Sequence, residues 1–225
     1  HNLMACYLYA AWSLKRGVED GLAADEAAAV RRWKSVIFSI AIEEMVHLTL
    51  ASNLSVSIGG APYLSRPNFP VPPGFHPSGV VAALAPFCHA LLDHFIYLER
   101  PEGDPTSDSP DFAHPVNLIR RQTKGRLMPS HQDYLTVGHL YRGIRRGFGN
   151  LHHQLGSRGL FTGDPASQIS PDEVTAPGMQ IVTDIASADR AVDTIIDQGE
   201  GAPGHRNDSH YNRFLGVRRE FEELT

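Results

Sequence analysis

Residues 24–58, ADEAAAVRRWKSVIFSIAIEEMVHLTLASNLSVSI, decide the fold. Their apolar side chains recur every three or four positions, which is the spacing of one face of an α-helix. The stripe is made of Val30, Trp33, Ile37, Ile40, Ala51, Leu54 and Ile58, and Glu44 and His47 stand in the same register. Acidic residues at positions 25 and 26 favour a helix start, and Gly59 favours its end. The stretch therefore predicts a bundle helix about 50 Å long.

The rest of the chain also follows helical spacing, and no alternation typical of a β-strand is found. We expect further helices before Gly17, over 78–99, over 130–155, over 180–198 and from Asp208 or Ser209 onward. Long connections rich in Pro and Gly separate them at 59–79, 100–129 and 156–178. The sequence predicts an all-α fold class, as a single domain over 1–225 with long Pro/Gly-rich loops. The first helix is expected to begin upstream of His1.

Composition narrows the class of protein. The 225 residues carry a formal net charge of −5, from 20 Lys+Arg and 25 Asp+Glu. A mildly acidic chain is a poor match for nucleic acid, because phosphate contacts need a positive surface. The longest nearly uncharged apolar stretch, 80–92, is too short to cross a bilayer, so no membrane partner is expected. Two cysteines and no signal-like start favour the cytoplasm.

Glu44 and His47 are the central chemical observation. They are three positions apart, so they project from one helix face, and both replace apolar residues of the stripe. A carboxylate and an imidazole taken out of water need a partner. An inward Glu-x-x-His is the half-site of carboxylate-bridged di-metal proteins, in which carboxylates bridge two irons or manganeses and each imidazole binds one. The alternative is an ordinary core in which His47 hydrogen-bonds Glu44.

Three residues on other helices are candidates to complete such a site. Glu99 ends the third predicted helix, where it can point inward or lie at the surface. Glu200 stands at the Gly-rich end of the fifth, on the flank of its apolar stripe. His210 leads the stripe of the last helix, where the alternative is a buried histidine satisfied by a backbone carbonyl. His139 falls on the polar side of its helix, which favours a surface role. Neither cysteine has a base at nucleophile spacing.

Seven short motifs together resemble a known family. They are, in order, 7–15 (YLYAAWSLK), 43–47 (EEMVH), 59–62 (GGAP), 98–102 (LERPE), 137–141 (VGHLY), 198–201 (QGEG) and 209–211 (SHY). The order resembles the ferritin-like domain of the VioB type, also described as iminophenyl-pyruvate dimer synthase-like. The resemblance covers nearly the whole chain and implies a ferritin-like four-helix bundle with extra helices.

The resemblance also implies a di-iron-type site with two iron (or manganese) ions. It assigns Glu44, His47, Glu200 and His210 as ligands, with Glu99 as a further carboxylate. Two departures stand out. The family carries a glutamate shortly before the Tyr-Leu motif, where this chain has nothing acidic. It also commonly carries glutamate where this chain has His139, and ligation by that histidine would make the site richer in nitrogen.

The function expected from these features is a di-metal oxidase or oxygenase that uses O2 on a small, amino-acid-derived organic substrate of a biosynthetic pathway. Tyr7, Tyr97 and Tyr141 are candidates to line the substrate cavity, with a plain core position as the alternative for each. A second hypothesis is a module without redox chemistry that couples imines or acts as a scaffold. Iron storage is a third. A homodimer or a biosynthetic partner protein stays open.

Overall fold

The structure is a computed structural model that describes residues 1–65, 68–71, 76–77, 80–112, 134–200 and 208–224. Its helices in chain order are α1 Asn2–Ser13, α2 Ala24–Ser57, α3 His89–Glu99, α4 Val137–Leu160, α5 Ile185–Gly199 and α6 His210–Leu224. In the described ranges there is no β-strand, and one isolated bridge joins Val71 to Ala82. The predicted all-α fold class is confirmed.

The long helix α2 is the centre of the bundle. Asp25 and Glu26 lie in its first turn, where negative charge is favourable, and Glu26 Oε2 accepts a hydrogen bond from the backbone N–H of Ala23 at 2.6 Å. The helix ends before Gly59, which adopts the left-handed φ of 81°. Along its length α2 packs against α1, α5 and α6.

In the part of the chain that the structure describes, α2 is also the one helix long and apolar enough to cross a membrane. Length and composition are weak evidence here, because the central helix of a bundle passes the same test. Its stripe packs against other helices of this chain, and it carries Glu44 and His47 among its buried residues.

The predicted third helix, over 78–99, was wrong at its start, because α3 begins only at His89. Pro86 explains the difference, since proline lacks an N–H and its ring clashes with a preceding helical turn. The chain before α3 is extended instead, and the backbone N–H of Val71 donates to the carbonyl of Ala82 at 2.7 Å. Glu99 nevertheless ends the helix, as the sequence predicted.

The starts of α4 and α5 also lie later than predicted. Thr136 caps α4 by accepting the backbone N–H of His139 at 3.1 Å, and Asp184 caps α5 by accepting that of Ser187 at 2.7 Å. Residues 130–133, where α4 was expected to start, lie outside the described residues. At its other end α4 continues to Leu160 through a kink at Gly156, whose φ is 67°.

Buried apolar side chains form two clusters along α2. The first core joins α1, the N-terminal half of α2, α3 and α6. The second core joins the C-terminal half of α2, α4 and α5. On α2 the first core ends at Ala41 and the second begins at Val46, so Glu44 and His47 lie where the two cores meet.

Candidate metal centre

Glu44 and His47 form the part of the site that α2 supplies. Both side chains are buried, at 9% and 7% exposure. The distance from His47 Nδ1 to Glu44 Oε1 is 3.0 Å, as expected for residues three apart on one helix face. Together they place a carboxylate and an imidazole inside the bundle, in positions that would otherwise hold apolar side chains.

His210 comes from the first turn of α6 and meets this pair. Its side chain is fully buried, and its Nδ1 lies 3.2 Å from the same Oε1 of Glu44. The two imidazole rings are nearly parallel, with centroids 5.4 Å apart and an interplanar angle of 29°. One donor atom from each of the three residues lies within 4.8 Å of the other two. Residues 163 positions apart in sequence thus share one small polar space.

Glu99 adds a second carboxylate from the end of α3. Its Oε2 lies 3.6 Å from His210 Nδ1, and its Oε1 accepts a hydrogen bond from the Tyr7 hydroxyl. Tyr7 was predicted to line a substrate cavity, but it is fully buried behind Glu99 and packs on Phe95 and Phe214. Burial, and then the charge of Glu99, raises the pKa of Tyr7. The tyrosine therefore stays a neutral donor that orients the carboxylate.

Each imidazole is held from behind by a different side chain. His210 Nε2 lies 2.9 Å from Glu43 Oε2, and Arg213 donates to the same carboxylate. His47 Nε2 lies 2.8 Å from Gln198 Oε1. Because Nε2 is engaged in both rings, Nδ1 is the atom left to face Glu44. Such outer hydrogen bonds orient metal-binding histidines, and an acceptor-only partner also fixes the tautomer.

Sequence reasoning missed Glu43 and Gln198 as functional residues. Glu43 was visible only as part of the 43–47 motif and Gln198 only as part of the 198–201 motif. Each partners a histidine on a different helix, at separations of 167 and 151 residues. Helical periodicity reports which face a residue occupies, but it carries no signal for a partner so far away along the chain.

The charges of the site are mutually dependent. Burial opposes an imidazolium at His210, but Glu99, Glu43 and Glu44 outweigh it and raise its pKa well above the ordinary value. Burial likewise opposes a charged Glu44, but His47 and His210 outweigh it and lower its pKa. Without a bound cation, the proton on His210 therefore supplies the positive charge that the carboxylates require.

A divalent transition-metal ion fits this donor set. His210 Nδ1 is buried and has no hydrogen-bond partner among the described residues, although it faces two carboxylates. Imidazole nitrogens mixed with carboxylate oxygens suit iron, manganese or zinc. Glu44, His47, Glu99 and His210 are thus the residues that can hold metal.

Two of the predicted ligands lie apart from this cluster. Glu200 follows the end of α5 and turns toward α4, where its Oε1 accepts a hydrogen bond from Arg142 at 2.6 Å. A Cβ on Gly138 would lie 2.0 Å from that oxygen, so the absence of a side chain there makes room for the carboxylate. Burial raises the pKa of Glu200, and Arg142 partly offsets the effect. His139 accepts a hydrogen bond from the backbone N–H of Leu135 at 3.3 Å.

A cavity of about 380 Å³ opens onto the cluster. Glu44, His47 and Glu99 line it on the side of the cluster, and His1, Asn2, Ser65 and His76 are further polar lining residues. Its other walls are mainly apolar and include Leu3, Leu48, Ala51, Val137, Leu140, Tyr141 and Ile195. Burial and the charge of Glu44 raise the pKa of Tyr141 to about 12, so its hydroxyl stays neutral.

Tyr141 borders this cavity, whereas Tyr97 is not among its lining residues. The guanidinium of Arg100 lies over the Tyr97 ring instead, 3.7 Å from its centroid. The cavity size is in the range of small-molecule sites.

Comparisons with known proteins agree with the fold. The sequence model of the Ferritin-like family matches residues 1–219. The chain belongs to the Ferritin-like family. A crystal structure of a ferritin-like protein from Caulobacter vibrioides matches with a TM-score of 0.59 and 24% sequence identity, over 97% of this chain and 68% of that one. At this identity the likeness shows the fold alone. A search of curated proteins finds no match.

Proposed function

We propose that this ferritin-like chain holds two iron or manganese ions and uses O2 to oxidise a small organic substrate. The observation that carries the proposal is the convergence of two imidazole Nδ1 atoms on one oxygen of Glu44, at 3.0 and 3.2 Å, beside a cavity. A carboxylate beside two imidazoles, with a further carboxylate nearby, is the kind of donor set that would hold a pair of such ions in a helical bundle. Glu99 is the further carboxylate.

The residues of the chain have distinct parts in this proposal. Glu44, His47, Glu99 and His210 would hold the metal, which when bound would supply the electrons for O2 reduction. Tyr7 keeps Glu99 in place through its hydrogen bond. Leu48, Leu140 and Ile195 give the cavity apolar walls on one side, which favour an organic molecule.

The substrate class rests on the resemblance to the VioB type. That resemblance favours an amino-acid-derived intermediate of a biosynthetic pathway, and the low cysteine content favours a cytoplasmic setting. The apolar walls support the organic character of the substrate. The proposal also includes that the chain is a single domain and that it works as a homodimer or with a biosynthetic partner protein.

A second candidate function uses one ion instead of two. Three donor atoms from Glu44, His47 and His210 within 4.8 Å of one another also match the set of two histidines and one carboxylate that holds a single iron in oxygenases. The number of ions bound per chain separates the two candidates, since the first requires two and the second requires one.

Anaerobic loading with Fe²⁺ and metal analysis test the proposal. We expect two irons per chain, and exposure to O2 is expected to give the absorption of an oxidised di-iron centre. Glu44→Ala and His47→Ala should abolish loading, because each removes a donor from the cluster. His139→Gln is the matched control, since it removes a histidine outside the cluster and should leave loading unchanged.

The outcomes separate the hypotheses. One iron per chain would support the single-ion candidate. The third outcome is well under one iron per chain, with the same iron content in Glu44→Ala, His47→Ala and the unmodified protein. It would leave the metal-free scaffold or imine-coupling module.

A further inference from the structure

The two imidazoles of the site have outer partners of different chemistry. Glu43, behind His210, is a carboxylate and can only accept hydrogen bonds, so Nε2 of His210 must carry a proton. Gln198, behind His47, is an amide and presents Oε1 to Nε2 at 2.8 Å. A half-turn of that amide would present its NH2 group, so Gln198 is compatible with either tautomer of His47.

The tautomer matters because a metal ion needs the lone pair of Nδ1. His47 Nδ1 lies 3.0 Å from Glu44 Oε1, within hydrogen-bond distance, and a proton on this atom would compete with the ion. Glu43 excludes the neutral tautomer with its proton on Nδ1 at His210. Gln198 does not exclude it at His47.

The charge around the two histidines also favours metal binding beside His210 over binding beside His47. His210 Nδ1 faces two carboxylates, Glu44 at 3.2 Å and Glu99 at 3.6 Å. Glu43 on its far side is paired with Arg213, so the excess of negative charge comes from the first two. Among the described residues, His47 has one carboxylate partner, Glu44. A dication beside His210 therefore meets more negative charge in a buried setting, where charge interactions are strong.

We propose that Glu43 and Gln198 are positioning residues that make the two metal positions unequal, so that the position beside His210 fills first and binds its ion more tightly. This inference rests on the proposed di-metal function. Arg213, which donates to Glu43 and to Ser39 Oγ at 3.0 Å, holds the carboxylate in place for this role.

Anaerobic calorimetric titration of the full chain with Fe²⁺ alone tests the inference. The unmodified protein should bind iron in two resolved steps. Glu43→Gln should weaken the tighter step by roughly 10–100-fold, the usual cost of losing an outer partner of a metal-binding histidine. Gln198→Glu should strengthen the weaker step, because it gives His47 an acceptor-only partner. Gln180→Glu is the matched control, since Gln180 borders the same surface groove as Gln198 but contacts Arg190 instead of His47.

The possible failures are distinct. No iron in the unmodified protein would overturn the proposed function itself. Two irons bound in one unresolved step, or a single iron, would overturn the inference, as would two steps that neither variant changes. Because Glu43→Gln also removes the partner of Arg213, a failure of this variant to fold would leave Gln198→Glu, compared with Gln180→Glu, to decide.

Discussion

The two cores that meet at Glu44 and His47 are built from different side chains. The first core is organised by aromatic rings, with Tyr7 4.6 Å from Phe95 and 5.2 Å from Phe214 between centroids. The second core is mainly aliphatic and includes Val46, Leu50, Leu54, Ala188, Val192 and Ile195. Rings in edge contact fix one another's orientation more closely than aliphatic chains do. The side of the site that contains Glu99 and His210 therefore rests on the more specific packing.

The second core gains order from buried amides instead. Asn53 on α2 donates to the carbonyls of Ile169 at 2.8 Å and Gln180 at 3.0 Å, and it accepts the N–H of Ile169 at 3.0 Å. Gln168 exchanges two hydrogen bonds with the backbone of Val182, at 2.7 and 2.6 Å. The loop between α4 and α5, rich in Pro and Gly, is thus tied to the bundle by side chains. The comparison shows two ways to hold the same site, rings on one side and amides on the other.

Truncating a ring of the first core should have the largest effect. Phe214→Ala removes a fully buried ring that contacts both Tyr7 and Phe95, and we expect the free energy of unfolding to fall by about 3–5 kcal/mol. Chemical denaturation measures the change. Leu151→Ala is the control, because Leu151 is 42% exposed and its loss should cost less than about 0.5 kcal/mol. Similar costs for both variants would contradict the ring-based account of the first core.

Removing an amide from the second core should have an intermediate effect. Asn53→Ala leaves the N–H of Ile169 and two carbonyls without their partner, which we expect to cost about 1–3 kcal/mol. Hydrogen exchange at Ile169 should accelerate more than exchange in the first core. Asn150→Ala, at an exposed position of α4, is the matched control. Unchanged exchange at Ile169 in the Asn53 variant would show that the loop is held by other contacts.

His210, which lies at the junction between the two cores, should make the free energy of unfolding depend on pH. In the metal-free protein the folded pKa of His210 is raised, because Glu99, Glu43 and Glu44 outweigh burial. The contribution of His210 to the free energy of unfolding is complete at pH values below its pKa in the unfolded chain, about 6.5. This contribution is lost as the pH rises through its pKa in the folded protein. Denaturation midpoints of metal-free protein should therefore fall with rising pH above about 6.5.

His210→Gln should remove this part of the fall in denaturation midpoint with rising pH. Loading with Fe²⁺ should also suppress the fall, because the ion replaces the proton on His210. A slope that persists unchanged in His210→Gln would place its origin at another group.

A feature of the fold or of the site could be predicted from the sequence when it depends on residues close together along the chain. The all-α bundle and the shared helix face of Glu44 and His47 were predictable, because an apolar stripe and its interruption are local patterns on one helix. His210 was visible for the same reason, since it leads the stripe of α6. The side-chain directions of Glu200 and His139 were not, because one follows the end of α5 and the other lies in the first turn of α4. Neighbours from other elements set both directions. The ferritin-like family was predictable only from the resemblance of the seven motifs.

The tyrosines show the same limit. All three candidates lie on helices at positions compatible with a cavity wall, and only Tyr141 borders the cavity that the site opens into. Tyr7 lies one layer deeper, where its hydroxyl contacts Glu99, and Tyr97 lies at the edge of the first core. Spacing along a helix assigns a side chain to a face. The neighbouring helices decide whether that face meets a cavity, a carboxylate or a guanidinium group.

The smallest effect is expected from Tyr97→Phe. The variant keeps the ring beneath Arg100, so the cation–π contact survives, and the free energy of unfolding should change by less than about 0.5 kcal/mol. Tyr7→Phe is the informative partner, because it removes a buried donor from Glu99 and should cost about 1–3 kcal/mol. Denaturation of both variants, with Fe²⁺ titration of each, compares the edge of the first core with its centre. Weaker iron binding in Tyr97→Phe than in Tyr7→Phe would reverse the order of the two residues around the site.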